Sequence, residues 1–160
     1  QKEQWGVQDY GGVVSTEKKD VSSTSGHQAA SSSPFFNLRL ELMDKRINDI
    51  KMHIQEKDFT AFGEMVEAEA LELHSIMITS RPSLIYWSTG TLQLMKEIKR
   101  WRADGLEAYF TLNTGQDMHI LVEKKNTSAL VEKVKHLEYV NDIIENDIVS
   151  GAYPTDSHLF

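Results

Sequence analysis

Apolar residues recur at every third or fourth position through the middle of the chain and at every second position around it. That change of period divides the sequence into elements. Phe36, Leu40, Met43, Ile47, Ile50 and Ile54 follow alternating steps of four and three, which predicts one long amphipathic helix. Ser33 and Pro34 supply the N-cap and first-turn pair that such a start prefers. Phe59, Phe62, Val66, Ala70, Leu73 and Met77 predict a second helix, with Asp58 as its N-cap. The short link QEKD joins the two as an antiparallel hairpin. Arg81-Pro82 ends the second helix, and SLIYW at 83–87 reads as a further turn of helix. Leu92, Met95, Ile98 and Trp101 or Arg102 predict a third helix over 91–103, stopped by Asp104-Gly105. Alternation predicts strands at 9–15, 106–112 and 118–125, with two more near 138–141 and 143–149. Residues 126–136 read as a short helix. The two strands joined by one loop must be antiparallel. The expected fold is therefore α+β, a two-layer sandwich of a mainly antiparallel sheet packed against helices, in a single domain over 1–160. Residues 1–8 and 152–160 are expected to be peripheral tails, and 16–33 a polar loop.

Composition narrows the function classes. Hydrophobic residues make up 40% and charged residues 26%, ordinary for a globular domain. The formal net charge of −7 argues against nucleic acid as a partner. There are no cysteines, which removes disulfides, thiolate zinc sites and cysteine nucleophiles, and fits an intracellular, cytoplasmic setting. No apolar run reaches the ~18 residues of a membrane helix, so no membrane partner is expected. The start, QKEQWGVQ, carries neither a signal pattern nor a Met, so a processed, cloned or proteolysed piece is expected.

No complete catalytic motif is present: no P-loop, no GxGxxG, no HExxH, no GxSxG. No metal site is expected either. His74 sits on the second helix without an acidic residue at i±3 or i±4, and reads as structural. His53 and His136 read as solvated, and His119, next to a polar loop, is the histidine of greatest geometric interest. Glu64, Glu67, Glu69 and Glu72 read as a solvated face. Two segments are unusual. VSSTSGH (21–27) gathers hydroxyls, a glycine and backbone amides that suit either an anion loop or a plain surface loop. TLNTGQDMH (111–119) joins two strands with more polar groups than a turn requires.

Taken in order, KKDVSSTSGH, SPFF, the KDF…E…E…LH helix, TSRPSLIYW, GLEAYFTLNTG and ILVEKKN form a specific series. From about residue 9 to 151, the chain resembles the C-terminal half of the mevalonate diphosphate decarboxylases, in particular the branch that includes phosphomevalonate decarboxylases, within the GHMP kinase superfamily. The resemblance implies an ATP-dependent decarboxylase of isoprenoid biosynthesis acting on mevalonate 5-diphosphate or 5-phosphate. ATP and Mg2+ would be bound mainly by an N-terminal half, present covalently or as a separate chain; a homodimer is the further expectation. The isolated chain is then expected to be inactive. The family's SS-x-x-G loop carries over to Ser23 and, through its backbone, Gly26; Ser22, Thr24 and His27 complete that substrate-side segment. The diphosphate enzymes often have Arg where this chain has Thr24, which hints at a substrate with less phosphate. The family's catalytic Asp falls on Asn113, followed by Thr114 and Gly115, with Gly115 read as allowing the turn. Asn is not a base, so either the role is lost or Asp117 or another residue supplies it. Two alternatives stand beside this reading: a non-catalytic or regulatory module on the same fold, and a small-molecule kinase that phosphorylates without decarboxylating.

Overall fold

The computed structural model describes residues 5–15 and 22–146. Residues 1–4 of the expected N-terminal tail, Lys18 and Lys19 with the rest of 16–21, the expected last strand beyond Asn146 and the whole expected tail 152–160 lie outside them. Strand β1 (Val7–Val13) is followed by helices α1 (Ser23–Ala29), α2 (Phe36–Glu56), α3 (Phe59–Thr79) and α4 (Thr89–Ala103). Then come β2 (Ala108–Thr111), β3 (Met118–Glu123), α5 (Thr127–Lys135) and β4 (Asp142–Asn146). The strands form one antiparallel sheet in the order β2-β3-β1-β4. The α+β expectation holds.

One face of the sheet makes the core. Tyr10, Ala108, Phe110, Met118, Ile120 and Val122 are all essentially inaccessible. They pack with Leu94, Ile98 and Trp101 of α4 and Leu130 and Val134 of α5. A second cluster, Ala30, Ile76, Met77, Leu84 and Tyr86, ties α1 to the end of α3. The alternation in β1 and β3 is read out directly: one side chain enters the core, the next faces outward.

Helix α3 runs along the free edge of the sheet, where β2 is the terminal strand. An edge strand has unpaired backbone groups that need partners. Glu67, 6% exposed, accepts the Phe110 N–H at 3.3 Å. Arg102 donates to the Ala108 carbonyl at 2.6 Å. The two side chains pair with each other through two contacts of 2.7 and 3.0 Å. This buried pair satisfies both charges and the strand edge together, so Glu67 is not part of a solvated face. Glu69 and Glu72 are also engaged, by Arg39 and Arg46 of α2.

Three other expectations are corrected. The serine-rich stretch from 22 is helical rather than loop, because Ser22 Oγ accepts the Ser25 amide at 3.1 Å and caps α1. Gly26 then lies against Tyr86, where a Cβ would stand 2.6 Å from the phenol oxygen. Residues 83–87 are extended rather than helical: Leu84 and Tyr86 turn inward while Ile85 faces solvent. Near 138–141 there is a turn rather than a strand, closed by a Val140 N–H to Leu137 carbonyl bond of 3.1 Å. The expected hairpin of α2 and α3 is present, with Lys57 in a left-handed conformation (φ 57°) and Asp58 capping α3.

Candidate functional site

The β2–β3 connection, residues 112–117, is tied down along its length. His74, buried in α3, donates its Nε2–H to the Asn113 carbonyl at 3.1 Å. The Gly115 amide donates to the same carbonyl at 2.8 Å. Thr114 Oγ1 donates to Ser23 Oγ at 2.8 Å. Thr91 of α4 donates to the Gln116 carbonyl at 2.6 Å. Asp117 Oδ1 accepts the Val14 amide at 2.9 Å and the Ser15 amide at 3.4 Å. A loop with this many anchors is a rigid platform rather than a simple connection.

The Thr114–Ser23 bond joins the two segments singled out in the sequence, although they are 91 residues apart. Behind them, Tyr86 donates to the Ser22 carbonyl at 3.1 Å. Asn113 is exposed, and its side-chain amide has no hydrogen-bond partner among the described residues. Thr24 and His27 are exposed on α1, and neither side chain bonds to the loop. The structure therefore brings together Ser22, Ser23, Asn113, Thr114 and Gly115. Gly26 lines the underside, against Tyr86. Asp117 is committed to holding the end of β1, which leaves its carboxylate poorly placed to replace a base at 113. Gly115 does not need its glycine freedom: among the described residues Gly105 (φ 95°) is the glycine with positive φ, and a Cβ on Gly115 would meet nothing within 4 Å.

The histidines exchange importance. His119 is exposed and pairs through Nδ1 with Asp9 at 2.9 Å, on the outer face of the sheet. His74 is structural as read, but it is also the histidine that touches the loop. Its ring lies 4.8 Å from Trp87, tilted by 34°, and meets Tyr86 edge-on. Burial holds its pKa below the ordinary value, opposed by its hydrogen bond to Asn113, so the neutral donor tautomer is favoured. The available signal was Leu73-His74 in an otherwise apolar stripe: a polar residue there needs a buried partner.

Chemically, the platform offers hydroxyls and one amide. These groups can exchange hydrogen bonds with a polar ligand. No Lys or Arg among the described residues bonds to it, and no glycine-rich cradle for a triphosphate borders it. No group of three or more His, Asp or Glu among them converges as metal ligands would.

A family model described as the mevalonate 5-diphosphate decarboxylase C-terminal domain matches residues 12–156. The diphosphomevalonate decarboxylase of Debaryomyces hansenii is 32% identical over 123 residues, which is 74% of this chain and 32% of that protein. The crystal structure of the mevalonate diphosphate decarboxylase from Staphylococcus aureus superposes with a TM-score of 0.85 at 28% identity, covering 94% of this chain and 46% of that one. The Enterococcus faecalis enzyme, described for its mevalonate diphosphate mediated ATP binding, gives 0.77 at 29% identity, covering 88% and 42%. The chain spans about a third of the length of the curated relatives it matches.

Proposed function

Because this chain belongs to the mevalonate 5-diphosphate decarboxylase C-terminal domain family, we propose that it is the C-terminal part of an ATP-dependent decarboxylase. The substrate is mevalonate 5-diphosphate or mevalonate 5-phosphate, and the enzyme works in isoprenoid biosynthesis in the cytoplasm. The observation that carries this reading is the Thr114–Ser23 hydrogen bond, which seats the loop after β2 against the serine segment. Ser22 and Ser23, with the backbone at Gly26, offer donors to the substrate's phosphate end. Thr24, in place of a bidentate arginine, favours the monophosphate. Thr114 and Gly115 shape the wall beside the reacting hydroxyl.

Asn113 stands where the family's Asp is expected. Its amide can orient the tertiary hydroxyl by hydrogen bonding, but it cannot take the proton. ATP, when bound with Mg2+, supplies the phosphoryl group that turns this hydroxyl into a leaving group. The described residues do not form a nucleotide cradle, so that site is assigned to an N-terminal half, covalent or separate. The chain alone is then inactive.

The test pairs this chain with an N-terminal half carrying the nucleotide loop. ADP release and CO2 formation are measured with both substrates. Asn113→Asp is expected to raise turnover by about 10²–10⁴, the usual worth of a positioned base. The exposed Asn113 favours one second reading, a non-catalytic binding module. No substrate-dependent ADP release with either residue at 113 would support that module and overturn the enzyme. ADP without CO2 would mark a kinase.

A further inference from the structure

The two polar segments are held from behind in the same way. The Asn113 carbonyl accepts the Gly115 amide at 2.8 Å and the His74 Nε2–H at 3.1 Å. The Ser22 carbonyl accepts the Gly26 amide at 3.3 Å and the Tyr86 hydroxyl at 3.1 Å. In each case one donor is a local amide, which turns with its own segment. The other is a buried ring from a distant part of the chain. A carbonyl oxygen has two lone pairs. With both engaged from different directions its peptide plane is held, and with it the direction in which the residue's side chain leaves the backbone.

The two rings share one frame. His74, 1% exposed, lies on α3, and Tyr86, 4% exposed, lies on the extended segment that follows α3. Their rings meet edge-on with centroids 6.0 Å apart, and Trp87 lies against the imidazole at 4.8 Å. The segment returns onto α3 through the Leu84 amide, which donates to the Met77 carbonyl at 3.0 Å. Leu84 and Tyr86 then pack with Ile76 and Met77. Neither ring can swing without opening these contacts. A site packed this closely has no room for a water in place of a lost donor.

Together with the Thr114–Ser23 bond, these contacts close a ring: Ser23, Thr114, Asn113, His74, Tyr86 and Ser22 each meet the next through the backbone, a hydrogen bond or a ring contact. A closed ring cannot change one separation without changing the others. The spacing between the serine hydroxyls and the side chain at 113 is therefore set by two buried rings behind them. In the decarboxylase reading, on which this inference rests, a single substrate spans that spacing. Its phosphate end lies on the serines and its tertiary hydroxyl at 113.

We propose that His74 and Tyr86 are positioning residues, which hold residue 113 and the serine hydroxyls at a fixed distance and direction from each other: His74 acts at the reacting end of the substrate and Tyr86 at its phosphate end. Neither touches the reacting atoms. Loss of the Tyr86 hydroxyl weakens a grip that is the same in the ground and transition states, and so shows in KM. Loss of the His74 N–H misdirects the group beside the reacting hydroxyl, and so shows in kcat.

The test uses this chain together with an N-terminal half that carries the nucleotide loop, with Asn and with Asp at 113. Mevalonate 5-phosphate and mevalonate 5-diphosphate are each assayed by ADP release. Tyr86→Phe removes one oxygen and is expected to raise KM for the substrate turned over about tenfold, with kcat within about twofold. His74→Phe keeps a ring against Trp87 and is expected to lower kcat about tenfold, with KM within about twofold. His74→Gln, which returns an N–H donor, is expected to recover kcat to within about threefold of the parent. Hydrogen exchange in the same protein reads the two carbonyls directly. His74→Phe is expected to speed exchange of the Gly115 amide about tenfold and to leave that of Gly26 within about threefold, and Tyr86→Phe to do the reverse. The same change in KM from both Phe variants, no recovery in His74→Gln, or exchange that speeds alike at both amides each overturns the proposal, because a merely structural role predicts these results. No substrate-dependent ADP release from any of these proteins would instead end the decarboxylase reading, and the exchange pattern would still decide whether His74 and Tyr86 hold the two segments.

Discussion

Gly63 is the position where two ordinary expectations give opposite signs for one substitution. It lies inside α3, where replacing Gly by Ala favours the helix by about 1 kcal/mol. Yet a Cβ on Gly63 would stand 2.0 Å from Tyr109 Cδ2, 2.2 Å from Cγ and 2.4 Å from Cε2. Carbon atoms in contact normally sit about 3.5–4.0 Å apart. The overlap is therefore about 1.5 Å, and the ring has little freedom to yield. Tyr109 is 1% exposed, with Phe59 at 5.4 Å edge-on and the Arg102 guanidinium 4.4 Å from the ring centroid. Relief must come from α3 moving off the sheet, which also pulls Glu67, one turn along, from Arg102 and the Phe110 amide. Overpacking of this kind costs about 1–3 kcal/mol, or more when backbone must shift. We expect Gly63→Ala to lose about 2 kcal/mol net, a fall in Tm of about 4–8 °C. Thermal and urea unfolding followed by far-UV circular dichroism measure it. With Tyr109→Leu in the same chain, much of the added loss should disappear, a non-additivity that marks direct contact. An unchanged or raised Tm for Gly63→Ala would refute the argument, because propensity would then outweigh the packing of α3 on β2.

Two further outcomes follow from the same framework. Glu67→Ala leaves Arg102 without its carboxylate and the Phe110 amide without an acceptor, and should cost about 2–4 kcal/mol in urea unfolding; replacing both Glu67 and Arg102 by apolar residues should cost less than the sum. His74 resists protonation in the fold because it is buried, so the unfolded chain binds the proton more readily near the ordinary value of 6.5. Its contribution is therefore complete above pH 6.5 and is lost as the pH falls below it, by up to about 1.4 kcal/mol per pH unit. Comparing unfolding at pH 7.5 and 5.5 in the parent and in His74→Gln, which retains a donor but cannot titrate, isolates that slope; equal slopes would contradict the assignment.

Much of the architecture was legible in periodicity alone. The stripes of α2, α3 and α4 were clear because helices repeat near 3.6 residues whatever they pack against. The cap at Asp58 and the breaks at Arg81-Pro82 and Asp104-Gly105 were local chemistry. The serine run was misread because composition reports average solvation, whereas one cap at Ser22 and one close approach at Gly26 make it helical. The segment at 83–87 was misread because a short apolar run has no period of its own until Leu84 and Tyr86 find the second cluster.

The sequence by itself determined the three long helices, the order of those helices and of the first three strands, the antiparallel β2–β3 pair and the two polar segments singled out for the site, because these depend on spacings of a few residues. Only the tertiary structure decided which of those residues meet. It set Thr114 on Ser23, gave His74 the Asn113 carbonyl, committed Asp117 to β1 and turned Glu67 inward to close the sheet edge. It also decided that α2 keeps half its stripe in solvent, because the ion pairs that fix its rotation are made with α3. Each of these is a contact between residues 23 to 103 positions apart. No local period encodes such a contact, because burial and hydrogen-bond satisfaction are settled only when the layers close.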